Sequence, residues 1–198
     1  MRYLDIGCGG GIFAETAARL PWTEHVLALD PSKDVIDVAK RHARRDPLLM
    51  QSGRLTYENA AIEQIPLPGS SKEQYDIVSL FEVLEHISYP SRFLDSCLPF
   101  VKPGGWLVIS TIARTWMSWL TTKMVAENIV GMVPKGTHDW EKYVNFNELQ
   151  AWFAKQEGWA AGGGMKVMGM VYVPGLGWKA VSAGERVGNY FFGVRKNA

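Results

Sequence analysis

The sequence is poor in cysteine, in long apolar runs and in excess charge of either sign. Only two of its 198 residues are cysteines; Cys8 lies in a glycine turn and Cys97 on an apolar helical face, so we expect reduced thiols, not disulfides. No uninterrupted apolar run reaches the ~18 residues that a membrane span needs. The net charge of +1 gives no overall basic field to attract nucleic acid. No targeting segment is expected, because a strand pattern begins by Tyr3.

The chain instead contains short apolar runs that alternate with amphipathic helical patterns. Apolar residues make up 47% of the chain and charged residues 21%, which is typical of a soluble globular protein. A length of 198 residues suits one domain and is too short for two ordinary ones, so a single domain over residues 1–198 is expected. The alternation predicts an α/β fold, in which helices cover both faces of a parallel sheet. The predicted strands are 2–6, 25–29, 55–59, 77–81, 106–110, 165–173 and 190–195; the predicted helices are 11–20, 33–45, 90–101, 116–130 and 147–156.

A glycine-rich loop, LDIGCGGG (Leu4–Gly11), joins the first predicted strand to the first helix. It lets a ligand approach bare backbone above free helix N–H groups. A dinucleotide fits the glycine spacing loosely, whereas a positively charged nucleoside sulfonium fits the acid before the glycines, Asp5. Asp30, which ends the second strand, can accept hydrogen bonds from ribose hydroxyls. Together with the later turn at 103–105, these residues favour the sulfonium.

Four segments make the chain similar to the class I S-adenosylmethionine-dependent methyltransferases. They are LDIGCGGG (Leu4–Gly11), ALDPS (Ala28–Ser32), YDIVSLFEVLEHI (Tyr75–Ile87) and VKPGGWLVIST (Val101–Thr111). The resemblance implies a Rossmann-like seven-stranded methyltransferase sheet of order 3-2-1-4-5-7-6. Members of this class carry helices before the first strand, and this chain begins without them. The cofactor contacts that the resemblance implies are Asp5, Gly7, Gly9, Asp30, Ala61, Ile62, Phe81 and Glu82.

The second half of the chain resembles one group within that class. GMVPKGTHDWEKYV (Gly131–Val144) and GMVYVPGLGWK (Gly169–Lys179) are similar to the ubiquinone-biosynthesis O-methyltransferases. That resemblance implies methylation of a catechol hydroxyl on a polyprenylated ring. It also implies contact with a membrane surface and with other ubiquinone-biosynthesis proteins. The implied location is the matrix side of the mitochondrial inner membrane in eukaryotes, or the cytoplasmic side in bacteria.

Three potential metal ligands follow the fourth predicted strand: Glu82, Glu85 and His86. If the segment is helical, their spacing of i, i+3 and i+4 places them on one face. Two carboxylates and an imidazole suit a divalent cation such as Mg²⁺ or Zn²⁺. The alternative is a helix cap that lines the cofactor pocket without metal, and the spacing alone leaves both open. The resemblance to a cation-dependent family favours the metal.

His138 is a second candidate for removing the phenolic proton of the acceptor, because histidine titrates near neutral pH. The alternative is a loop histidine bonded to backbone. It lies in an insertion, 115–142, that opens with Trp116 and Trp119 and continues with further apolar residues. This segment can lie flat on a bilayer or pack as a lid over the substrate pocket, and we expect it to do part of each.

Two other functions compete with methyl transfer. A nucleotide-dependent dehydrogenase would use the same kind of glycine loop, but nothing in the sequence resembles its catalytic residues. Another small-molecule methyltransferase, or a non-catalytic cofactor-binding module of a quinone-biosynthesis complex, would share the glycine loop and both aspartates. Cofactor binding without transfer would distinguish the module from the enzyme.

Overall fold

The protein forms one mixed sheet with helices on both faces, in a computed structural model that describes residues 1–112, 144–173, 177–181 and 189–198. The strands are β1 (Arg2–Ile6), β2 (His25–Leu29), β3 (Leu55–Glu58), β4 (Tyr75–Phe81), β5 (Val101–Ile112), β6 (Met165–Val173), β7 (Gly177–Val181) and β8 (Asn189–Arg195). The helices are α1 (Ile12–Arg19), α2 (Lys33–Ala43), α3 (Pro47–Ser52), α4 (Pro90–Cys97) and α5 (Phe146–Phe153).

The strand order in the sheet is β3-β2-β1-β4-β5-β8-β6-β7. The first five strands run parallel, and β8 is antiparallel to both β5 and β6. The predicted seven-stranded order is therefore confirmed, with β8 as its seventh strand. The eighth strand, β7, pairs antiparallel with β6 at the sheet edge and was not predicted. The carboxyl ends of β1, β2, β3 and β4 meet at one edge, where sheets of this kind bind ligands.

The alternation of side chains along β1 divides the core into two layers. Leu4 and Ile6 belong to a cluster that includes Phe153 of α5, and Tyr3 belongs to a second cluster that includes Ile36 of α2. Because successive strand residues point to opposite faces, each layer lies on its own side of the sheet. The predicted helices on both faces are thus confirmed.

Several boundaries differ from the prediction for local reasons. The helix expected over 90–101 ends at Cys97 and continues as a 3₁₀ turn, Leu98–Phe100, in which Pro99 has no N–H to donate. Helix α3 was not predicted; Asp46 caps it by accepting the Leu48 N–H at 2.9 Å, and a proline follows the cap. The predicted helix 116–130 lies outside the described residues. None of the helices that the structure describes is long and apolar enough to cross a membrane.

Candidate active site

The loop between β1 and α1 exposes backbone at the ligand-binding edge of the sheet. The N–H groups of Gly7 and Cys8 both donate to the Leu29 carbonyl, at 2.8 and 2.9 Å, which anchors the loop to the end of β2. Gly7 has a φ of 71°, and a Cβ there would lie 2.6 Å from Cγ2 of Val83. Gly9 has a φ of 53°, and a Cβ there would meet no atom within 4 Å. A side chain at position 7 would therefore collide with Val83, whereas the space beside Gly9 is wide enough for a ligand to approach the backbone.

Asp5 places a buried carboxylate directly under this loop. Its side chain is 2% exposed, and the Ser79 hydroxyl donates to Oδ1 at 2.6 Å. Burial raises the pKa of Asp5 to about 6, and the hydrogen bond from Ser79 offsets only part of that rise. Asp5 forms no ion pair within the described part of the chain. A positively charged ligand above the loop would therefore stabilise the ionised form.

Cys8 stands in the same loop but lacks the properties of a nucleophile. Burial, together with the negative charges of Asp5 and Asp30, raises the pKa of its thiol to about 12. The thiol is therefore protonated at neutral pH.

Asp30 reaches the loop from the end of β2, as the sequence predicts. Its Oδ2 accepts the Gly9 N–H at 3.1 Å, and its Oδ1 accepts the Ser32 N–H at 2.8 Å. The side chain of Asn59 donates to the Asp30 carbonyl at 3.0 Å and holds that residue from the end of β3. Each carboxylate oxygen can accept a second hydrogen bond, so Asp30 can still bind a pair of ribose hydroxyls.

Ala61 and Ile62 lie beyond the end of β3, at the same edge of the sheet. Ile62 begins a 3₁₀ turn, Ile62–Gln64, and its side chain is buried in the core. The side chain of Gln64 accepts the Ala61 N–H at 2.8 Å. The Ile62 N–H makes no hydrogen bond to any residue that the structure describes, so it is available to the edge of a purine ring.

Phe81, at the end of β4, connects this loop to the next part of the site. Its ring meets Phe13 of α1 edge to face at 4.6 Å between centroids, and Phe191 of β8 at 5.5 Å. Glu82 follows with a φ of 54°, which is unusual for a residue with a side chain. Its N–H donates to the carbonyl and the hydroxyl oxygen of Ser110, at 3.0 and 3.2 Å. The Ser110 hydroxyl donates in turn to Oε1 of Glu82 at 2.7 Å.

Glu85 lies beside Glu82 and forms a carboxylate pair with it. Its side chain is buried, and the Thr111 hydroxyl donates to Oε2 at 2.9 Å. Burial, and then the charge of Glu82, raise the pKa of Glu85 to about 7. Neither carboxylate has a cationic side chain as a partner in the described ranges. Two such oxygen donors suit a hard cation such as Mg²⁺.

The helix expected over Glu82, Glu85 and His86 is not formed, and this corrects the predicted geometry of the three ligands. The left-handed conformation of Glu82 prevents a continuous helix, and the segment is a 3₁₀ turn, Leu84–His86. His86 is exposed. No group of three or more His, Cys, Asp or Glu side chains within the described residues is arranged to hold a metal. The structure pairs the two glutamates and leaves His86 apart.

A cavity of about 500 Å³ opens next to Glu82. Most of its wall is apolar or aromatic. Its lining residues are Phe81, Glu82, Ser110, Met170, Asn189, Tyr190 and Phe191. Sequence reasoning singled out only the first two of these. Ser110 and Thr111 could have been found as polar residues at the carboxyl end of a predicted strand, whereas the residues from β6 and β8 are brought here by strand pairing alone. His138 and the insertion 115–142 lie outside the described residues.

Comparisons with known proteins agree on one family. The methyltransferase-domain family matches residues 1–160. The chain is 44% identical over 196 residues to the "Ubiquinone biosynthesis O-methyltransferase, mitochondrial" of Candida albicans, an alignment that covers 98% of this chain and 57% of that protein. It is 37% identical over 198 residues to the "Ubiquinone biosynthesis O-methyltransferase" of Paraburkholderia xenovorans, covering 98% of this chain and 78% of that protein. The chain thus spans less than two thirds of the Candida relative.

The solved structure of a plantazolicin methyltransferase in complex with SAH resembles the fold, with a TM-score of 0.69. The likeness covers 100% of this chain and 76% of the other. Because the two sequences are only 14% identical, it shows the fold alone.

Proposed function

The chain belongs to the methyltransferase-domain family and, within it, to the ubiquinone biosynthesis O-methyltransferases, and we propose that it transfers a methyl group from S-adenosylmethionine to a catechol hydroxyl of a polyprenylated ubiquinone precursor. The observation that carries the proposal is the placement of two acidic features at adjacent strand ends. A buried carboxylate lies under an open glycine loop after β1, and a carboxylate pair follows β4. The first suits a cationic donor and the second an acceptor that must lose a proton.

The donor is held by the loop and by both aspartates. Asp5 favours a positive group above the loop, because its own charge is otherwise buried without a cationic partner. Asp30 accepts hydrogen bonds from the ribose, Gly7 and Gly9 leave room for the ligand, and the Ile62 N–H faces the adenine edge. Phe81, packed on Phe13, closes the site on the side of the acceptor.

The acceptor has to become a phenolate, since a phenol with a pKa near 10 is mostly protonated at neutral pH. In the transfer, a bond forms between the phenol oxygen and the methyl carbon while the carbon–sulfur bond breaks. The electron pair stays on sulfur, and the phenolic proton passes to a base. A cation held by Glu82 and Glu85 would favour this loss by lowering the pKa of the phenol, and solvent would then take the proton. His138 is kept as the second candidate for this base.

A divalent cation is part of the proposal. Glu82 and Glu85 would hold it, and the two oxygens of a catechol would be available as further ligands. When bound there, the cation would lower the pKa of a coordinated phenol. The hydroxyls of Ser110 and Thr111 hold the two carboxylates in place. His86 could become a third ligand only if its turn rearranged, since in this structure it stands apart from Glu82 and Glu85.

The membrane contact and the location are proposed from the sequence and from the relatives. The insertion 115–142, with its tryptophans, would meet a lipid surface, because a polyprenylated precursor dissolves in lipid. Fungal and mouse relatives carry the word mitochondrial in their names. These names support a mitochondrial location, and we propose the matrix side of the inner membrane, with peripheral association near other ubiquinone-biosynthesis proteins.

Calorimetry with S-adenosylhomocysteine tests the proposal, with and without Mg²⁺ and a catechol that carries one five-carbon prenyl chain. We expect the spent cofactor to bind alone and the catechol to bind more tightly when Mg²⁺ is present. Methyl transfer to the same catechol should then require all three sites. Cofactor binding without methyl transfer would instead indicate a non-catalytic cofactor-binding module. Methyl transfer only to other small molecules would indicate a methyltransferase with a different acceptor.

A further inference from the structure

The cavity beside Glu82 lies where three neighbouring strands bring unlike residues together. Across the antiparallel pair of β5 and β8, Ser110 is opposite Phe191; across β8 and β6, Asn189 is opposite Met170. These residues come from three separate strands, and all of them line the cavity. The wall is thus a product of strand register.

The cavity is connected to the donor loop by a row of three aromatic rings. Phe13 follows the glycine loop in the first turn of α1, Phe81 packs on it, and Phe191 packs on Phe81 from the cavity side. Both contacts are edge to face, an arrangement that fixes ring orientation. Phe81 therefore contacts both the helix that follows the donor loop and a residue of the cavity wall.

The polar groups of the cavity are few. The Glu82 carboxylate lies at its wall, and the Ser110 hydroxyl is engaged by that carboxylate. Asn189 adds an amide whose side chain makes no hydrogen bond to any described residue. An apolar wall with one carboxylate and one amide suits a flat ring that carries polar substituents.

We propose that this cavity binds the aromatic ring of the acceptor, with Met170 and Phe191 against the ring, the reacting hydroxyl at Glu82 and a second polar substituent at Asn189. The inference rests on the proposed function and adds the residues that select the acceptor. At about 30 Å³ for each water-sized group, 500 Å³ holds roughly 17 such groups. The ring with its two oxygens and one prenyl unit, about 13 non-hydrogen atoms, fits that space, whereas a polyprenyl tail has to leave it.

Filling the cavity provides the test, and the same strand provides a matched control. Met170→Trp places a large side chain in the cavity. Met168→Trp makes the same change two residues away on β6, at a residue that is 47% exposed and does not line the cavity. Binding of the singly prenylated catechol is measured by calorimetry on protein saturated with S-adenosylhomocysteine. We expect at least tenfold weaker binding for Met170→Trp and a change of less than twofold for Met168→Trp.

Phe191→Leu supplies a second variant, in case the tryptophan disturbs the sheet. It keeps an apolar wall but removes the aromatic edge, and we expect about two- to twelvefold weaker catechol binding. Unchanged affinity for S-adenosylhomocysteine in all three variants shows that the donor site is intact.

The outcomes separate this inference from the proposed function. Equal catechol binding by the wild type and Met170→Trp, or no catechol binding by the wild type, would overturn the inference. Catechol binding that Met170→Trp abolishes, without any methyl transfer by the wild type, would uphold the cavity as the ring site and contradict the proposed activity.

Discussion

The buried carboxylate of Asp5 should cost the protein stability in the absence of ligand, and Asp5→Asn should recover that stability. The side chain is 2% exposed and lies under the glycine loop, with the Ser79 hydroxyl as its hydrogen-bond donor. Asparagine has nearly the same shape and can still accept that hydrogen bond through its oxygen. The substitution therefore removes the charge and leaves the packing almost unchanged.

The size of the effect follows from the pKa of Asp5. Burial raises that pKa from an ordinary value of 3.8 to about 6, which at 1.36 kcal/mol per pH unit corresponds to about 3 kcal/mol. The folded protein holds the proton more tightly than the unfolded chain does, so this group lowers stability as pH rises from 3.8 to about 6. We expect Asp5→Asn to be about 3 kcal/mol more stable than the wild type at pH 7.5, and only about 1 kcal/mol more stable at pH 4.5.

Urea denaturation of both proteins at these two pH values measures the difference. The surface residue Asp76 provides a control of opposite sign. Burial alone would raise the pKa of Asp76, but the Arg2 N–H and the Lys102 ammonium bring it below its ordinary value. The ionised carboxylate of Asp76 therefore stabilises the fold, and Asp76→Asn should be less stable than the wild type at pH 7.5. The same Asp5→Asn protein should bind S-adenosylmethionine about 10- to 100-fold more weakly, since the negative charge that favours the cationic donor is lost. A variant less stable than the wild type at pH 7.5, or a gap that does not shrink at pH 4.5, would refute the reasoning.

Three further changes test other parts of the account. Thr111→Val removes the hydroxyl that donates to Glu85 and should weaken Mg²⁺ binding about 10- to 100-fold in calorimetry, with Thr111→Ser restoring it. Gly7→Ala forces a Cβ to within 2.6 Å of Val83 at a φ of 71°, which should cost about 1–3 kcal/mol in urea denaturation and weaken S-adenosylhomocysteine binding. Phe153→Ala, in a helix on the other side of the sheet from α1, should cost about 3–5 kcal/mol of stability while the affinity of the folded protein for S-adenosylhomocysteine stays the same. Equal Mg²⁺ affinity in Thr111→Val, or normal cofactor binding by Gly7→Ala, would contradict these expectations.

The parallel half of the fold could be predicted because its signals are local. Short apolar runs such as 2–6 and 25–29 are bounded by glycine, proline or aspartate, and the structure places β1 and β2 at those residues. The approach of Asp30 to Gly9 could also be predicted, since the carboxyl ends of adjacent parallel strands meet at one edge. The resemblance to a known family supplied the strand order, which local patterns do not contain.

The remaining features depend on contacts between distant parts of the chain. Glu82 adopts a left-handed conformation because Ser110, 28 residues away, binds its N–H and its carboxylate, and no helical spacing rule anticipates that. For the same reason the predicted helical face for His86 was wrong. Strand β7 and the cavity residues of β6 and β8 are placed by antiparallel register, which depends on the whole sheet.

Transfer of an isotopically labelled methyl group tests the central claim most directly. The full chain is incubated with S-adenosylmethionine labelled in its methyl carbon, with Mg²⁺ and with the singly prenylated catechol, and the products are analysed by mass spectrometry and NMR. The account predicts one labelled methyl on a ring oxygen for each S-adenosylhomocysteine formed. A protein that binds the donor but leaves the catechol oxygens unlabelled, or that places the label on carbon or nitrogen, would contradict it.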